Sequence, residues 1–431
     1  MIRMNLLAVD WSGILQWIGG ILLAILILLA MVSIHEFGHY VAGKILNFKI
    51  TEFSIGFGPA IFKKRSKKSG ELFAVRIVPL GGYCAFDGED YDEDDPRAEP
   101  QSDRAENAEN EPFTDFVSLD EEEKEPTVSA LNEEVQAAER SKPAEEEYPE
   151  PKGERFNDQA PWKRIIVLAA GAVMNYLLAL VLLLIMCFSY GVPMCIVIPA
   201  DYNGEQLTPI EWEAEELSAA DILVSIDGRS IGMYTDCMDA LKGKLAGESV
   251  PVEIYRLTKE GWKPKTVTLT LLADGAFANS ADIDGLKAAM GFQIGTQSVK
   301  TTFGRTVGGA FAYSGEMATS VLRTLGELIT GAFGDKTADV VGGPVSTIGQ
   351  TAQVAISSPF SFLYMASFIG VNLAVFNLLP VPALDGCKII FCIIEWIRKK
   401  PINRKVEAII NFAGIVFLFG FAILIDLLKL F

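Results

Sequence analysis

Residues 14–39 read ILQWIGGILLAILILLAMVSIHEFGH. The run from Ile14 to Ile34 carries no charge and is long enough to cross a hydrocarbon core of about 30 Å as a helix. It leads straight into HEFGH. His35 and His39 are the only two histidines of the chain. Four residues apart, they share one helix face, where both imidazoles can grip one Zn²⁺, and Glu36 stands beside the metal as a base for its bound water. Two histidines that merely pack between helices are the weaker reading, because ionisable side chains at membrane depth are costly and usually functional.

Three further stretches reach membrane length: Ile165 to Tyr190, Phe360 to Leu379 and Ala408 to Leu428. Basic residues set the orientation. Lys44, Lys49, Lys63, Lys64, Arg65, Lys67, Lys68, Lys163 and Arg164 lie between spans one and two, and Arg398, Lys399, Lys400, Arg404 and Lys405 between spans three and four. The positive-inside rule makes both loops cytosolic and turns the termini and the region between spans two and three outward. Zinc needs at least one more protein ligand, and no third histidine exists. Asp385, in NLLPVPALDG (377–386) at the cytosolic end of span three, is the candidate. Ile14 to His39 and Phe360 to Asp385 are equal lengths along spans that run in the same direction, so the side chains reach similar depth. Pro380 and Pro382 break the helix just before Asp385, and irregular backbone at that depth belongs beside a wet cavity or inside protein.

The composition is divided. Half of the residues are hydrophobic, yet the net charge is −18. Asp87 to Arg155 holds 26 acidic against 7 basic side chains, a net of −19, so the rest of the chain is close to neutral. Rich in Glu, Pro, Ala and Ser, this stretch buries too little apolar area to offset its ordering entropy, and is predicted to be a disordered linker or insertion; an acidic tether for a basic partner or for cations is the alternative. The six cysteines, at 84, 187, 195, 237, 387 and 392, have no CxxC spacing and imply neither a disulfide framework nor a cysteine zinc site. The first apolar run is too long for a cleaved signal peptide and is expected to stay in the mature protein.

Between spans two and three, ILVSIDG (222–228), VPVEIYR (250–256) and TVTLTL (266–271) alternate as strands, and Tyr234 to Leu245 reads as a helix. Phe303 to Phe333 has helical periodicity interrupted by glycine, as in an interfacial helix. Span two opens WKRIIVLAAGAVMNY (162–176), where Gly171 and Asn175 suit close helix packing, with Asn175 read as structural.

HEFGH, NLLPVPALDG and the run AADILVSIDGRSI (219–231), in this order and topology, resemble the site-two protease family of intramembrane zinc metalloproteases, in the bacterial single-PDZ form. The resemblance implies a polytopic α-helical membrane protein with four transmembrane helices, a membrane-associated β-loop and an inserted PDZ-like α+β extracytoplasmic domain. The divisions would be 1–45 (first helix), 46–86 (β-loop), 87–158 (acidic insertion), 159–192 (second helix), 195–275 (PDZ-like domain), 276–358 (linker and interfacial helices), 359–397 (third helix) and 398–431 (loop and fourth helix). It further implies zinc on His35, His39 and Asp385, Glu36 as general base, and Asn377 on the substrate backbone. FSIGFGP (53–59) and FAVRIVPLGGY (73–83) would offer an edge strand to an unwound substrate, with Gly81 and Gly82 permitting its turn. Ala220 stands where the family has glycine, and IPADYNGEQLTPIEW (198–212) contains no clear carboxylate-binding loop, so the domain reads equally as a steric filter. The implied partners are single-span membrane protein substrates, cut after an upstream protease has trimmed them, and the lipid bilayer; no nucleic acid is expected. The implied place is a bacterial plasma membrane, with the active site toward the cytoplasm. Two rivals use the same parts. A catalytically silent PDZ-bearing scaffold would be expected to lose Glu36 or a ligand, and a zinc transporter would need polar ligands along several spans.

Overall fold

The computed structural model describes residues 11–89, 148–198, 217–218, 221–331 and 344–428. Most of the acidic stretch (90–147), the run 199–216 that holds most of IPADYNGEQLTPIEW, and Ala220 lie outside the described residues.

Helix α1 (Trp11–Ile45) carries the first apolar run and HEFGH without interruption and ends where Asn47 turns left-handed (φ 63°). Strands β1 (Ile50–Arg65) and β2 (Leu72–Phe86) follow. Residues 52–55 pair with 82–85 on one side and 72–75 on the other, and 72–75 pair in turn with 62–65, so the ribbon is four segments wide. Its root is clamped by Phe48, Phe86 and Phe156, whose ring centroids lie 5.5–5.6 Å apart. Far from that root, Phe57, Ile61, Phe62, Ile77 and Val78 are exposed, an apolar tip suited to lipid. The rims of the acidic stretch belong to this fold, which corrects the assignment of all of 87–158 to an insertion. Asp87 pairs with Lys49 at 2.7 Å, and Glu154 exchanges backbone hydrogen bonds with Asn47 and Lys49.

Helix α2 (Pro161–Tyr190) starts on a proline, which costs nothing at a first turn, and stops at Gly191 (φ 111°). The chain then builds β3 (Val192–Ile198), β4 (Ile222–Ile226), β5 (Arg229–Ser230), α3 (Tyr234–Leu241), β6 (Ser249–Thr258), β7 (Gly261–Thr270), α4 (Ile283–Met290) and β8 (Gln293–Val299). The sheet order is β7-β6-β4-β3-β8, with β5 paired to β4. Its core gathers Val197, Leu223, Ile226, Val252, Val267, Leu286 and Phe292. The expected helix to Leu245 ends at Leu241, because Gly243 takes a left-handed turn (φ 82°). Cys195 and Cys237 are buried in this core as free thiols.

The chain returns through α5 (Phe303–Thr330), α6 (Pro344–Ser357), α7 (Pro359–Leu378), α8 (Asp385–Arg398) and α9 (Arg404–Leu428). Among the described residues four helices are long and apolar enough to cross a membrane: α1, α2, α7 and α9. Small residues bring them together. A Cβ on Gly370 of α7 would sit 2.9 Å from Ala179 of α2 and 3.2 Å from Met31 of α1. The third span stops at Leu378 and, past the break that Pro380 and Pro382 predict, α8 is a separate helix within the division 359–397. It is pinned to α2 by Arg164 and Glu395, 2.7 Å apart and each only 6% exposed at the side chain.

Helix α5 joins the sheet domain to the bundle. Its inner face packs Ala310, Tyr313 and Met317 against Leu183 and Met186 of α2. On the domain side Arg323 pairs with Asp239, Glu327 accepts from Ser280, and the Glu316 carboxylate fills the space over Gly232. Burial, with Asp236 nearby, pushes the Glu316 carboxyl up to about 7.

Two measurements check these seams. Arg164→Met should destabilise the protein by about 3–5 kcal/mol in denaturant titrations, since it strands the Glu395 charge. The double change with Glu395→Leu should recover most of that loss. At Glu316 the folded protein keeps its proton to about pH 7, while an unfolded chain releases it near 4.5. The folded state therefore binds more protons across that window, and stability falls as pH rises through it and levels off above. Thermal unfolding of Glu316→Gln should lack this part of the fall between about pH 5 and about pH 8.

Candidate metal centre

The long turn after α7 delivers Asp385. Leu379 leaves the helix, Ala383 takes a left-handed conformation (φ 76°) and Asp385 opens α8. The turn closes this tightly because Gly386 has no side chain: a Cβ there would lie 2.1 Å from the Leu379 carbonyl oxygen. Helix α9 braces it from outside, with Asn411 Oδ1 accepting from the Ala383 amide at 3.3 Å.

On α1, His35 and His39 turn the same way, as their spacing requires. His35 Nε2 lies 3.0 Å from Asp385 Oδ2, His39 Nε2 lies 3.4 Å from the same oxygen, and the two Nε2 atoms are 3.1 Å apart. The metal-binding atoms of all three residues fall within 4.8 Å of one another. Donors held at about 2.0–2.1 Å in a tetrahedral shell stand roughly 3.3 Å apart, so this triangle has the size of one zinc ion's ligand set. The chemistry of the donors agrees. His39 Nδ1 is 2.8 Å from the Val167 carbonyl oxygen. A carbonyl only accepts, so that nitrogen carries the proton and the Nε2 lone pair is turned into the cluster.

Helix α2 supplies the floor. A Cβ on Gly171 would come within 2.5 Å of His39 Nε2 and 2.6 Å of His35 Cε1, and Gly38, between the histidines, lets α2 approach with its Ala170 carbonyl 2.4 Å from where a Cβ would be. The carboxamides of Asn175 and Asn377 each reach His35 Nδ1 through Nδ2, at 3.4 Å.

Glu36 sits on the next face of α1, and its carboxylate accepts from the Cys84 backbone amide. Strand β2 passes so close that a Cβ on Gly82 would lie 3.2 Å from Glu36 Cγ. Gly81 ends the stretch, 76–81, over which β2 reverses between its paired segments 72–75 and 82–85, and the left-handed glycines within β1 are Gly56 and Gly58. Gly81 seats the Phe57 ring, which a Cβ would overlap at 1.9 Å.

Sequence reasoning took Asn175 as a packing residue and gave Val167 no role. The signal was present, since Val167, Gly171 and Asn175 recur every four residues and form one stripe on α2.

The chain matches the family described as Peptidase family M50 over residues 23–421. It is 29% identical to the regulator of sigma-W protease RasP of Bacillus subtilis, with 94% of this chain and 96% of that protein covered. Identity to the zinc metalloprotease RasP of Bacillus licheniformis is 28%, over 91% and 94% of the two chains. A putative zinc metalloprotease of Staphylococcus aureus is also 28% identical, over 92% and 94%.

Gly171→Ala adds one methyl group where both imidazoles stand. It should lower zinc retention by at least about tenfold against a chelator, the scale on which displaced ligand support acts. Gly304→Ala, where a side chain meets open space, is the matched control and should retain zinc like the parent.

Proposed function

The chain belongs to peptidase family M50, and on that premise we propose that His35, His39 and Asp385 hold the zinc of this intramembrane metalloprotease and that Glu36 is its general base. The observation that carries the assignment is the three-donor triangle on a glycine-cleared helix face, with a carboxylate one residue from the first histidine. Bound there, zinc acidifies its water toward a pKa of about 7 and polarises the scissile carbonyl. Glu36 takes the proton from the attacking water and returns it to the leaving amine. Val167 keeps His39 in the ligating tautomer.

The substrates are single-span membrane proteins, cut in or near the transmembrane segment. A transmembrane helix hides its peptide bonds in its own hydrogen bonds, so the segment must unwind, and an exposed strand edge compensates the freed backbone groups. Residues 82–85 suit that purpose, because they pair with 52–55 on one side only among the described residues, and they run beside Glu36. Asn377, at the frayed end of α7, steadies the substrate backbone. The basic residues around the spans support a cytosolic site and an outward PDZ-like domain over 195–275. That domain admits substrates whose outward parts an upstream protease has trimmed. The name of the Bacillus subtilis relative, regulator of sigma-W protease, points to membrane-bound regulators of sigma factors as substrates of this chain too; signal-peptide remnants are a second class.

Purified protein in detergent should cut a single-span substrate with a short outward part. Glu36→Gln should slow cutting by about 10²–10⁴-fold while zinc stays bound, and a chelator should stop the parent. Cutting that survives Glu36→Gln removes Glu36 from the mechanism. A zinc-loaded parent that cuts no member of a substrate panel overturns the substrate assignment.

A further inference from the structure

His35 has a problem that His39 does not. To give a metal its Nε2 lone pair, an imidazole must keep its proton on Nδ1, and that proton needs an acceptor. For His39 the Val167 carbonyl is that acceptor. Around His35 Nδ1 stand two carboxamides, those of Asn175 and Asn377, both at 3.4 Å. The two ends of a carboxamide are nearly alike in shape and only hydrogen-bonding chemistry tells them apart. One Nδ1–H makes a single well-aligned hydrogen bond, so the two asparagines compete for it.

We infer that Asn175 is the positioning residue of the metal centre: its carboxamide oxygen accepts the Nδ1 proton of His35 and fixes the tautomer that turns Nε2 to the metal. This rests on the assignment of His35 as a ligand. Three observations separate Asn175 from Asn377. Asn175 is 1% exposed, on the unbroken middle of α2, four residues after Gly171. Asn377 is half-buried, one residue before α7 ends. Asn175 also has no second partner: the end of its carboxamide that faces away from His35 is enclosed and makes no hydrogen bond. As it stands the far-end oxygen finds no donor, so nothing there holds the group in that orientation, and His35 selects the turned one. A buried amide with one contact carries an uncompensated desolvation cost of roughly 1–3 kcal/mol. Packing alone would be served better by leucine, and the single contact is to a ligand imidazole. Asn377 is thereby released from His35 and free to turn toward a substrate backbone.

The experiment measures zinc affinity by chelator competition on the full-length protein in detergent, with melting of the zinc-free forms as the control for folding. Asn175→Leu, apolar and similar in volume, should weaken zinc binding by about 10–100-fold, the range for loss of a ligand's supporting hydrogen bond. Asn175→Asp, whose carboxylate can only accept, should bind zinc at least as tightly as the parent. That rescue distinguishes tautomer control from packing, and it decides the matter if Asn175→Leu folds poorly. Asn377→Leu should leave zinc affinity within about twofold and act on cleavage through KM. If Asn175→Leu folds and keeps parental affinity, or Asn175→Asp loses zinc as Asn175→Leu does, the inference is overturned while the ligand assignment stands. Zinc that persists in His35→Ala with parental affinity overturns both.

Discussion

Carboxylates, imidazoles and a water have to work inside a slab where every unpaired polar group is costly. The fold meets this constraint by enclosing the reactive groups on three sides with helices that have almost no side chain at the contact. Gly38, Gly171 and Gly370 let α1, α2 and α7 come so near that the imidazoles, the asparagines and Asp385 find partners in one another rather than in lipid. Larger residues at these positions would separate the helices and leave the ligands hydrated or scattered. The glycines are therefore as much a part of the site as the groups that touch the metal.

The fourth side is closed by a sheet. A strand edge is a liability in a soluble protein and all the more so near lipid. The ribbon of β1 and β2 limits it by folding so that its inner segments are paired on both flanks, and by setting one of its two outer segments, 82–85, next to Glu36. On the proposed function, an unsatisfied row of backbone groups is thus kept where an unwinding substrate would have the complementary need. The root of the ribbon, where 82–85 runs into Phe86, is fixed by aromatic packing and by the ion pair of Lys49 with Asp87, so the edge is presented from a rigid base.

Local chemistry was the most legible part of the chain. The histidine pair is separated by one helical turn, and the four spans are continuous in sequence. Asp385 was legible at longer range because equal lengths along co-directional spans constrain depth. What could not be read depends on contacts between distant segments. The tie from Asn175 to His35 joins residues 140 apart. Strand β3 continues an apolar run out of α2 broken only by Gly191 and Pro193, and it becomes a strand by pairing with β4 and with β8, the latter about a hundred residues later. Pro380 and Pro382 announce the break before α8, but what holds α8 in place, Glu395, is interpretable only once Arg164 is seen beside it. The two adjacent glycines of β2 suggested a turn; that they also admit Phe57 and Glu36 at close range depends on contacts the sequence does not display.

The pairing of β3 with β8 has a consequence for the architecture as a whole. Val192 lies opposite Val299, so the sheet domain leaves α2 and rejoins the chain before α5 through two neighbouring backbone positions. It is also tied to α5 through Arg323, Glu327 and Glu316. A change of length in a part of the domain that meets neither seam therefore leaves the spacing of α1, α2 and α7 to the packing of those helices themselves.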